Sequence, residues 1–267
     1  MKVVIIHSQV AQGFVGSNTT ALVLKLAGIE VIVVPTVLYS NHLGHAVYGG
    51  GVIPDELFRE VVQGIQNFGG LEDVDFVMTG FFGTQKQIEI AAEFIRGLQE
   101  QYPQIAYLCD PVMGDIGKGQ YVSDEIPGAL SALLVPLADY LTPNLFEAQI
   151  LLKTECQNLE DLRTASKKRL DLEKQTLIIT GINSQEGSFG NYYVNGNKQI
   201  FSQIVDVHPP GTGELFAAHL LLSLLNKQSV ERGISHVADL MHRVMAHMQA
   251  SGRKEFALAD HLFSMES

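Results

Sequence analysis

KVVIIHSQVAQGFVGSNTT, residues 2–20, opens the chain and decides its fold class. Residues 2–7 are nearly all apolar, which suits a strand that is covered on both faces, as in a parallel sheet. A loop of small residues follows, and a segment of helical period runs over 16–28. Strand, loop and helix in this order form the first part of a β-α-β unit and predict an α/β fold.

The same alternation repeats along the chain. It predicts a doubly wound, mostly parallel central sheet with helices on both faces and right-handed crossovers. Asn195–Gly196 is a type I′ turn signal, so we expect a C-terminal hairpin followed by helices. With no repeat or linker in view, we predict one domain, 1–267. The further strands are predicted at 31–36, 74–80, 105–110, 139–143 and 176–181, the helices at 54–67, 85–101, 123–135, 144–170 with a break near 155–157, 213–226 and 230–250, and the hairpin strands at 191–196 and 198–207.

Composition limits the possible partners. The 18 Lys and Arg residues against 29 Asp and Glu residues give a net charge of −11 with His neutral, and there is no basic block. This disfavours binding to nucleic acid or to an anionic membrane surface. The N-terminal apolar run is too short for a signal peptide or a membrane span. Two cysteines, Cys109 and Cys156, make neither a disulfide framework nor a metal cluster. We expect a cytoplasmic protein.

Polar and small residues follow the predicted strands. In an open parallel sheet, ligands bind in the crevice at the carboxyl ends of the strands, so these positions are the first candidates for a site. They are Ser8, Gly80–Phe81, Asp110, Thr142–Pro143–Asn144 and Thr180–Gly181.

The stretch GTGE, residues 211–214, precedes the apolar helix LFAAHLLLSLL. Gly211 and Gly213 permit positive φ and a close approach of a ligand to the backbone. The free N–H groups of the next helix and its dipole then favour an anion. The alternative is an ordinary helix start, with Glu214 as a favourable acid of the first turn.

Two further segments carry carboxylates. In DPVMGDIGKG, residues 110–119, Asp110 and Asp115 could hold Mg²⁺ through water, and the glycines indicate a mobile flap. The alternative is a solvated loop with Asp as turn former. In TPNLFE, residues 142–147, Asn144 and Glu147 have the spacing of a capping box. That spacing does not separate capping from metal or phosphate binding.

Several common motifs are absent from the sequence. Residues 8–20 contain neither GxGxxG nor a Walker A pattern, which counts against a dinucleotide-binding protein and a P-loop kinase. The segment SNHLGHAVYGGG, residues 40–51, holds His42 and His45 without HExxH spacing. No GxSxG elbow is present.

In this order, the motifs resemble those of the pyridoxal/pyridoxine kinases of the ribokinase-like superfamily. The resemblance extends over nearly the whole chain and implies ATP-dependent phosphorylation of the 5′-hydroxymethyl group of pyridoxal, pyridoxine or pyridoxamine. It also implies a homodimer and the cofactors ATP and Mg²⁺, with a monovalent cation such as K⁺ as a further candidate. The matching landmarks are SQV…GxVG (8–16), PTVxxSNH (35–42), TGF (79–81), CDPVMGD (109–115), TPNxxE (142–147), ITG (179–181) and GTGE (211–214).

The resemblance assigns residue roles. Glu214 is the expected general base, and the backbone of Gly211, Thr212 and Gly213 is the expected anion hole for the transferred phosphoryl group. The residues expected to bind the vitamin are Ser8, Val15, Val37, His42, Phe81 and Glu214. Those expected at ATP are Asp110, Asp115, Tyr121, Thr142, Asn144, Glu147, Thr180, Gly181, Gly211 and Gly213, and those expected at the metal are Asp110, Asp115 and Glu147.

The chain departs from the family pattern at several positions. Phe81 stands where members usually have Tyr, Gly181 where many have Ser, and Ser17–Asn18 inverts the usual order. The largest departure is Glu214, because the family's base is Asp. Two alternatives therefore stay open beside a vitamin B6 kinase. The first is a hydroxymethylpyrimidine kinase or a bifunctional member, although related hydroxymethylpyrimidine kinases have Cys at the position of Glu214. The second is a weakly active kinase-like binding protein. A sugar kinase fits less well.

Overall fold

A nine-stranded sheet forms the centre of the computed structural model, which describes residues 1–156, 158–183, 189–202, 205, 207 and 209–266. The strands are β1 (Lys2–Val10), β2 (Glu30–Tyr39), β3 (Gly50–Val52), β4 (Phe76–Thr79), β5 (Ala106–Cys109), β6 (Gly114–Asp115), β7 (Gly119–Gln120), β8 (Tyr140–Leu141), β9 (Thr176–Asn183), β10 (Phe189–Tyr193) and β11 (Lys198–Ser202). The helices are α1 (Ser17–Leu26), α2 (Asp55–Phe68), α3 (Gln85–Gln101), α4 (Glu125–Ala129), α5 (Leu145–Leu152), α6 (Leu159–Arg169), α7 (Thr212–Leu225), α8 (Val230–Ala250) and α9 (Leu258–Met265).

The middle of the sheet is parallel. Strands run in the order β2-β1-β4-β5-β8-β9, and every neighbouring pair in that run is parallel. Antiparallel strands close both edges, with β3 beside β2 and the β10–β11 hairpin beside β9. Strands β6 and β7 form a separate two-stranded hairpin. The predicted doubly wound, mostly parallel sheet is confirmed.

Alternate residues of β1 supply two different cores. Val4 and Ile6 pack into the core that contains α2 to α6, whereas Val3 and Ile5 pack into the core that contains α1, α7 and α8. Successive strand side chains point to opposite faces, so a strand covered on both faces must be apolar throughout. This is why the first strand shows no alternation in the sequence. Helix α7 is apolar all round for a similar reason, since it is buried along most of its length.

Several elements differ from the predictions. Strand β3, the β6–β7 hairpin and α9 were not expected. Predicted helix 123–135 is α4 followed by a π-helical turn over Leu130–Leu134 and a 3₁₀ turn over Val135–Leu137, where Pro136 has no N–H to donate. Predicted helix 144–170 is broken, as expected, into α5 and α6. Lys153 ends α5 in the left-handed conformation, and position 157 lies outside the described residues.

The type I′ turn predicted between β10 and β11 is wrong. A type I′ turn needs positive φ at both central residues, but in residues 194–197 only Asn197 has it, at 51°. The Asn195 side chain is engaged elsewhere: Oδ1 accepts the Leu177 N–H, and Nδ2 donates to the Gln175 carbonyl oxygen. The predicted strand 198–207 continues past β11 into positions 203, 204 and 206, which lie outside the described residues.

Among the described helices, none is both long enough and apolar enough to cross a lipid bilayer. Both cysteines are free thiols, and burial raises the pKa of Cys109 to about 12. An inert, buried Cys109 agrees with its place in the apolar strand β5.

Candidate active site

The sheet reverses its winding direction between β1 and β4. From β1 the chain proceeds outward to β2 and β3, then returns to the other side of β1 to form β4 and continues to β5. Such a switch point opens a crevice beyond the carboxyl ends of the two strands. Ser8 lies within β1, two residues before its carboxyl end, and Phe81 follows β4 after Gly80. Their assignment to the site stays a prediction.

His7 joins these two strand ends and was not predicted. Its Nδ1 accepts the N–H of Ser8 at 2.8 Å and that of Phe81 at 3.4 Å, and lies 3.1 Å from Ser8 Oγ. The ring lies against Gly80, where an added Cβ would be 2.0 Å from Nε2. Burial lowers the pKa of His7 to about 4, although the charge of Glu214 opposes this. His7 is therefore a neutral acceptor that orients Ser8.

The glycine loop begins helix α7. Gly211 is its N-cap residue with φ of 92°, and an added Cβ would lie 2.4 Å from the carbonyl oxygen of Phe14. The left-handed backbone and this close approach both require glycine. Thr212 Oγ donates to the Pro209 carbonyl at 2.6 Å, and no side chain caps the helix. The first N–H groups of α7 are thus available to an anion.

Glu214 reaches from α7 to a second helix. Its Oε1 accepts the N–H of Gly16 at 3.0 Å, and Gly16 is the N-cap of α1 with φ of 55°. The carboxylate therefore lies between the positive ends of two helix dipoles. Among the described residues, Glu214 makes no hydrogen bond back to its own helix cap, so Oε2 remains available to accept a proton.

A second acidic centre lies at the ends of β5 and β8. Asp110 is buried, and its Oδ1 accepts the Thr142 hydroxyl at 3.2 Å. Burial raises the pKa of Asp110 well above its ordinary range, and the charges of Glu147 and Glu214 raise it further. Burial also raises the pKa of Glu147 to about 7, although three backbone N–H groups lower it.

Glu147 forms the capping box of α5. Its Oε2 accepts the Asn144 N–H at 2.9 Å, and Asn144 Oδ1 accepts the Glu147 N–H at 3.0 Å. The other oxygen, Oε1, accepts the Met113 N–H at 2.9 Å, and Asn144 Nδ2 donates to the Gly114 carbonyl at 2.8 Å. The pair that the sequence left open between capping and ligand binding thus caps the helix and anchors the start of the β6–β7 hairpin.

The β6–β7 hairpin is the segment predicted as a flap. Asp115 is exposed, and Tyr121 is about half exposed with its N–H donated to the Met113 carbonyl. Partial burial and the charges of Glu147 and Glu214 raise the pKa of Tyr121. Within the described residues, Asp110, Asp115 and Glu147 do not form one cluster of direct metal ligands. Their assignment to the metal stays a prediction, with water between ion and protein.

The other predicted residues lie on or next to several strands of the sheet. Val37 is buried on β2, whereas Val15 and Phe81 are half-buried. The N–H of Thr180 donates to the Pro143 carbonyl at 2.9 Å, which joins the ends of β8 and β9, and Gly181 follows with φ of 71°. His42 lies in the loop between β2 and β3, which follows the strand that carries Val37.

The chain is similar in sequence to a known family of kinases. Residues 20–258 match the family described as phosphomethylpyrimidine kinase. The chain belongs to this kinase family. Pyridoxal kinase PdxY of Histophilus somni is 32% identical over 255 residues, which cover 92% of this chain and 89% of that protein. A pyridoxine/pyridoxal/pyridoxamine kinase of Bordetella avium is 33% identical over 237 residues, covering 87% and 80%.

A solved structure has the same fold. Pyridoxal kinase from Leishmania donovani in complex with ADP superposes with a TM-score of 0.83 at 25% identity, over 97% of this chain and 91% of that one. The resemblance inferred from the motifs is confirmed, and the protein is a kinase. Only the structure revealed the contacts of Glu214 and His7. His7 ends the predicted strand 2–7, and no motif of the sequence marked it as a partner of Ser8 and Phe81.

Proposed function

We propose that this kinase transfers the γ-phosphoryl group of ATP to the 5′-hydroxymethyl group of pyridoxal, pyridoxine or pyridoxamine. The observation that carries the proposal is the position of Glu214, whose carboxylate is held by Gly16 beside the uncapped start of α7. A proton acceptor next to an anion site is what alcohol phosphorylation requires. The two relatives, a pyridoxal kinase and a pyridoxine/pyridoxal/pyridoxamine kinase, supply the substrate class.

Glu214 takes the role of general base. With Oε1 fixed by Gly16, Oε2 accepts the proton of the substrate hydroxyl as its oxygen attacks the γ-phosphorus. The hydroxyl oxygen then forms a bond to phosphorus while the bond to the β-phosphate oxygen of ATP breaks. Donor and acceptor must lie in line, so positioning supplies much of the rate.

The start of α7 neutralises the transferred group. Backbone N–H groups of 211–213 donate to its oxygens, and the helix dipole adds roughly half a positive charge. Because these donors are part of the backbone, they need no rearrangement as charge develops. The remaining ATP contacts are assigned to residues of the neighbouring strand ends and the hairpin, namely Asp110, Asp115, Tyr121, Thr142, Asn144, Glu147, Thr180 and Gly181.

The vitamin is assigned to the mouth of the crevice beside β1 and β4. Ser8 hydrogen-bonds the pyridine ring, and His7 holds Ser8 in place through Nδ1. Phe81 offers a ring without the hydroxyl that a tyrosine would supply. Val15, Val37 and His42 complete the proposed pocket.

Mg²⁺ fits the acidic centre. Asp110 is buried with Glu147 and Glu214 as charged neighbours, and among the ion pairs of the described residues none joins these three carboxylates to Lys or Arg. A cation would relieve this repulsion. Asp110, Asp115 and Glu147 would hold it through water, as Mg²⁺ commonly prefers. When bound, it supplies charge neutralisation for the phosphate oxygens. A monovalent cation such as K⁺ could occupy the same region.

A second candidate is phosphorylation of hydroxymethylpyrimidine, favoured by the description of the matching family. A weakly active binding protein is a third, since Glu214 replaces the family's Asp. The homodimer and the cytoplasmic location implied by the resemblance belong to the proposal as well, as does a single domain spanning 1–267.

The deciding experiment is an ATP-coupled kinase assay with Mg²⁺ over pyridoxal, pyridoxine, pyridoxamine and hydroxymethylpyrimidine. We expect turnover of at least one B6 vitamer with a kcat/KM well above that for hydroxymethylpyrimidine. Preference for the pyrimidine would favour the second candidate. Tight pyridoxal binding in equilibrium dialysis without turnover would favour the third.

A further inference from the structure

A cluster of potential metal ligands lies outside the acidic centre. His42 and His45 come from the loop between β2 and β3, and Glu255 comes from the segment between α8 and α9. His45 Nε2 is 3.0 Å and His42 Nε2 is 3.5 Å from Glu255 Oε1, and the two imidazole centroids are 4.2 Å apart. Within the described ranges, these are the three His, Cys, Asp or Glu side chains whose ligand atoms lie close enough together to hold one metal ion directly.

We propose that His42, His45 and Glu255 bind a Zn²⁺ ion. Two imidazoles and one carboxylate, with a fourth position open to water, form a ligand set that zinc commonly takes. Zinc bonds of about 2.1 Å in a tetrahedron place neighbouring ligand atoms roughly 3.4 Å apart. The two nitrogen-to-oxygen distances are close to this value, and all three ligand atoms lie within 4.8 Å of one another.

The surroundings of His42 Nε2 agree with a metal bond at this atom. It is shielded from solvent and makes no hydrogen bond, although the residue is otherwise partly exposed. Its polar neighbour is Glu255 Oε1 at 3.5 Å, the outer limit of a hydrogen bond, so a metal bond would satisfy this nitrogen better. The Nδ1 atom accepts the Gly44 N–H at 3.1 Å, so the free ring carries its proton on Nε2. Zinc binding moves that proton to Nδ1, and the Gly44 contact in this exposed loop is released.

The position of the ion predicts an effect on catalysis, and this consequence rests on the proposed function. Phe256, the neighbour of Glu255, lies beside Gly211, where an added Cβ would be 3.4 Å from its ring. The ion would therefore tie the β2–β3 loop to the segment that flanks the glycine loop. It would also hold His42 away from the vitamin. Zinc should inhibit by weakening vitamin binding.

The binding test uses the full chain without nucleotide or Mg²⁺. Isothermal titration with Zn²⁺, and Co²⁺ as an absorbing probe, should show one ion per chain. H45A and E255Q should each weaken binding by about tenfold or more, since each removes one ligand. Both residues are exposed, so their variants should fold, and the melting temperature checks this.

Two controls locate the ion. H236A removes an exposed histidine on α8, and D110N removes the buried carboxylate of the acidic centre. Both should bind Zn²⁺ as wild type does. Absence of binding, equal binding in H45A and wild type, or a loss in D110N that matches the loss in E255Q would overturn the proposal.

The catalytic test measures the KM for pyridoxal at saturating Mg²⁺ and ATP, with and without Zn²⁺. We expect zinc to raise KM several-fold in wild type and to leave KM in H45A unchanged. If zinc binds at the cluster but does not alter KM, the inhibitory consequence is wrong while the site stands. If no vitamer is turned over, the proposed kinase activity fails, and the binding titration still decides the zinc site.

Discussion

The first turns of α5 and α7 each carry a glutamate three residues after the helix cap. Glu147 follows Asn144, and its carboxylate turns back to the Asn144 N–H to close a capping box. Glu214 follows Gly211, and its carboxylate extends instead to Gly16 at the start of another helix. The same residue at the same helical position thus serves a local cap in one case and a tertiary contact in the other.

The cap residues explain the difference. Asn144 has an extended backbone and a side chain that bonds the Glu147 N–H, so the box is reciprocal. Gly211 has a left-handed backbone and no side chain, so it cannot accept the Glu214 N–H and a reciprocal box cannot form. The Glu214 carboxylate instead accepts its hydrogen bond from Gly16, across the crevice. A glycine cap leaves the first N–H groups of the helix accessible to a ligand. It also leaves the Glu214 carboxylate outside a capping box, where it can accept a proton.

The largest expected effect is on kcat, and it comes from removing the charge of Glu214. Glu214→Gln keeps the length and an oxygen for the Gly16 N–H but cannot accept a proton, so kcat should fall by about 100–10,000-fold. Steady-state kinetics with the best vitamer measure this. Wild-type kcat in this variant would remove Glu214 from the role of base.

Glu214→Asp, measured beside it, tests the geometry. The shorter arm, by roughly 1.5 Å, should break the Gly16 contact. An aspartate variant faster than wild type would show that glutamate is a compromise in this chain.

The second prediction concerns the caps themselves. Gly211→Ala forces alanine into left-handed backbone and into the Phe14 carbonyl, and should lower the free energy of unfolding by about 1–3 kcal/mol. Gly213→Ala is the matched control, because its Cβ meets nothing within 4 Å and its φ is not positive. Urea unfolding of both variants checks this. Equal losses would show that α7 tolerates a side chain at its cap.

Asp110, which lies near both glutamates, gives the third prediction. Its raised pKa means that the folded state binds a proton more tightly than the unfolded chain. Ligand-free stability is therefore retained at acid pH and lost as pH rises above the ordinary value of 3.8 toward the folded pKa. Asp110→Asn removes this loss and should melt about 5 °C higher than wild type at pH 8, with the difference shrinking at acid pH.

Calorimetry across pH 5 to 8 measures the Asp110 effect, with the exposed Asp73→Asn as control. Mg²⁺ should narrow the gap, because it stabilises wild type and not the variant. A lower melting temperature of Asp110→Asn throughout the range would contradict the repulsion argument.

The smallest effect tests the local cap. Asn144→Ala removes the bond to the Glu147 N–H and the bond to the Gly114 carbonyl, and should cost about 1–2 kcal/mol. Asn158→Ala removes an N-cap of the same type on α6, where the Asn158 side chain accepts the Asp161 N–H at 3.0 Å. Its cost should be smaller. Equal melting temperatures would indicate that the hairpin contact adds nothing.

Much of the fold could be predicted because it is encoded in local patterns. Nearly all-apolar runs predicted the buried parallel strands, and the Asn144 and Gly211 signals marked the starts of α5 and α7. The type I′ turn at Asn195–Gly196 failed because Asn195 bonds a neighbouring strand, a contact that no dipeptide pattern contains. Strand β3 was missed because it has only three residues, two of them glycines, and α9 was missed because it packs in part against α1 at the other end of the chain.

The sequence by itself determined the α/β alternation and the kinase family, because each depends on residues a few positions apart or on motifs in a set order. It supplied the spacing of the α5 capping box, and the structure showed that the box forms. Only the tertiary structure decided what Glu214 binds, that His7 orients Ser8, and that His42 and His45 meet Glu255. These contacts join segments up to 213 positions apart, from His42 to Glu255. Their existence depends on strand order and helix packing, which bring the carboxyl ends of the strands and the helix starts to one crevice.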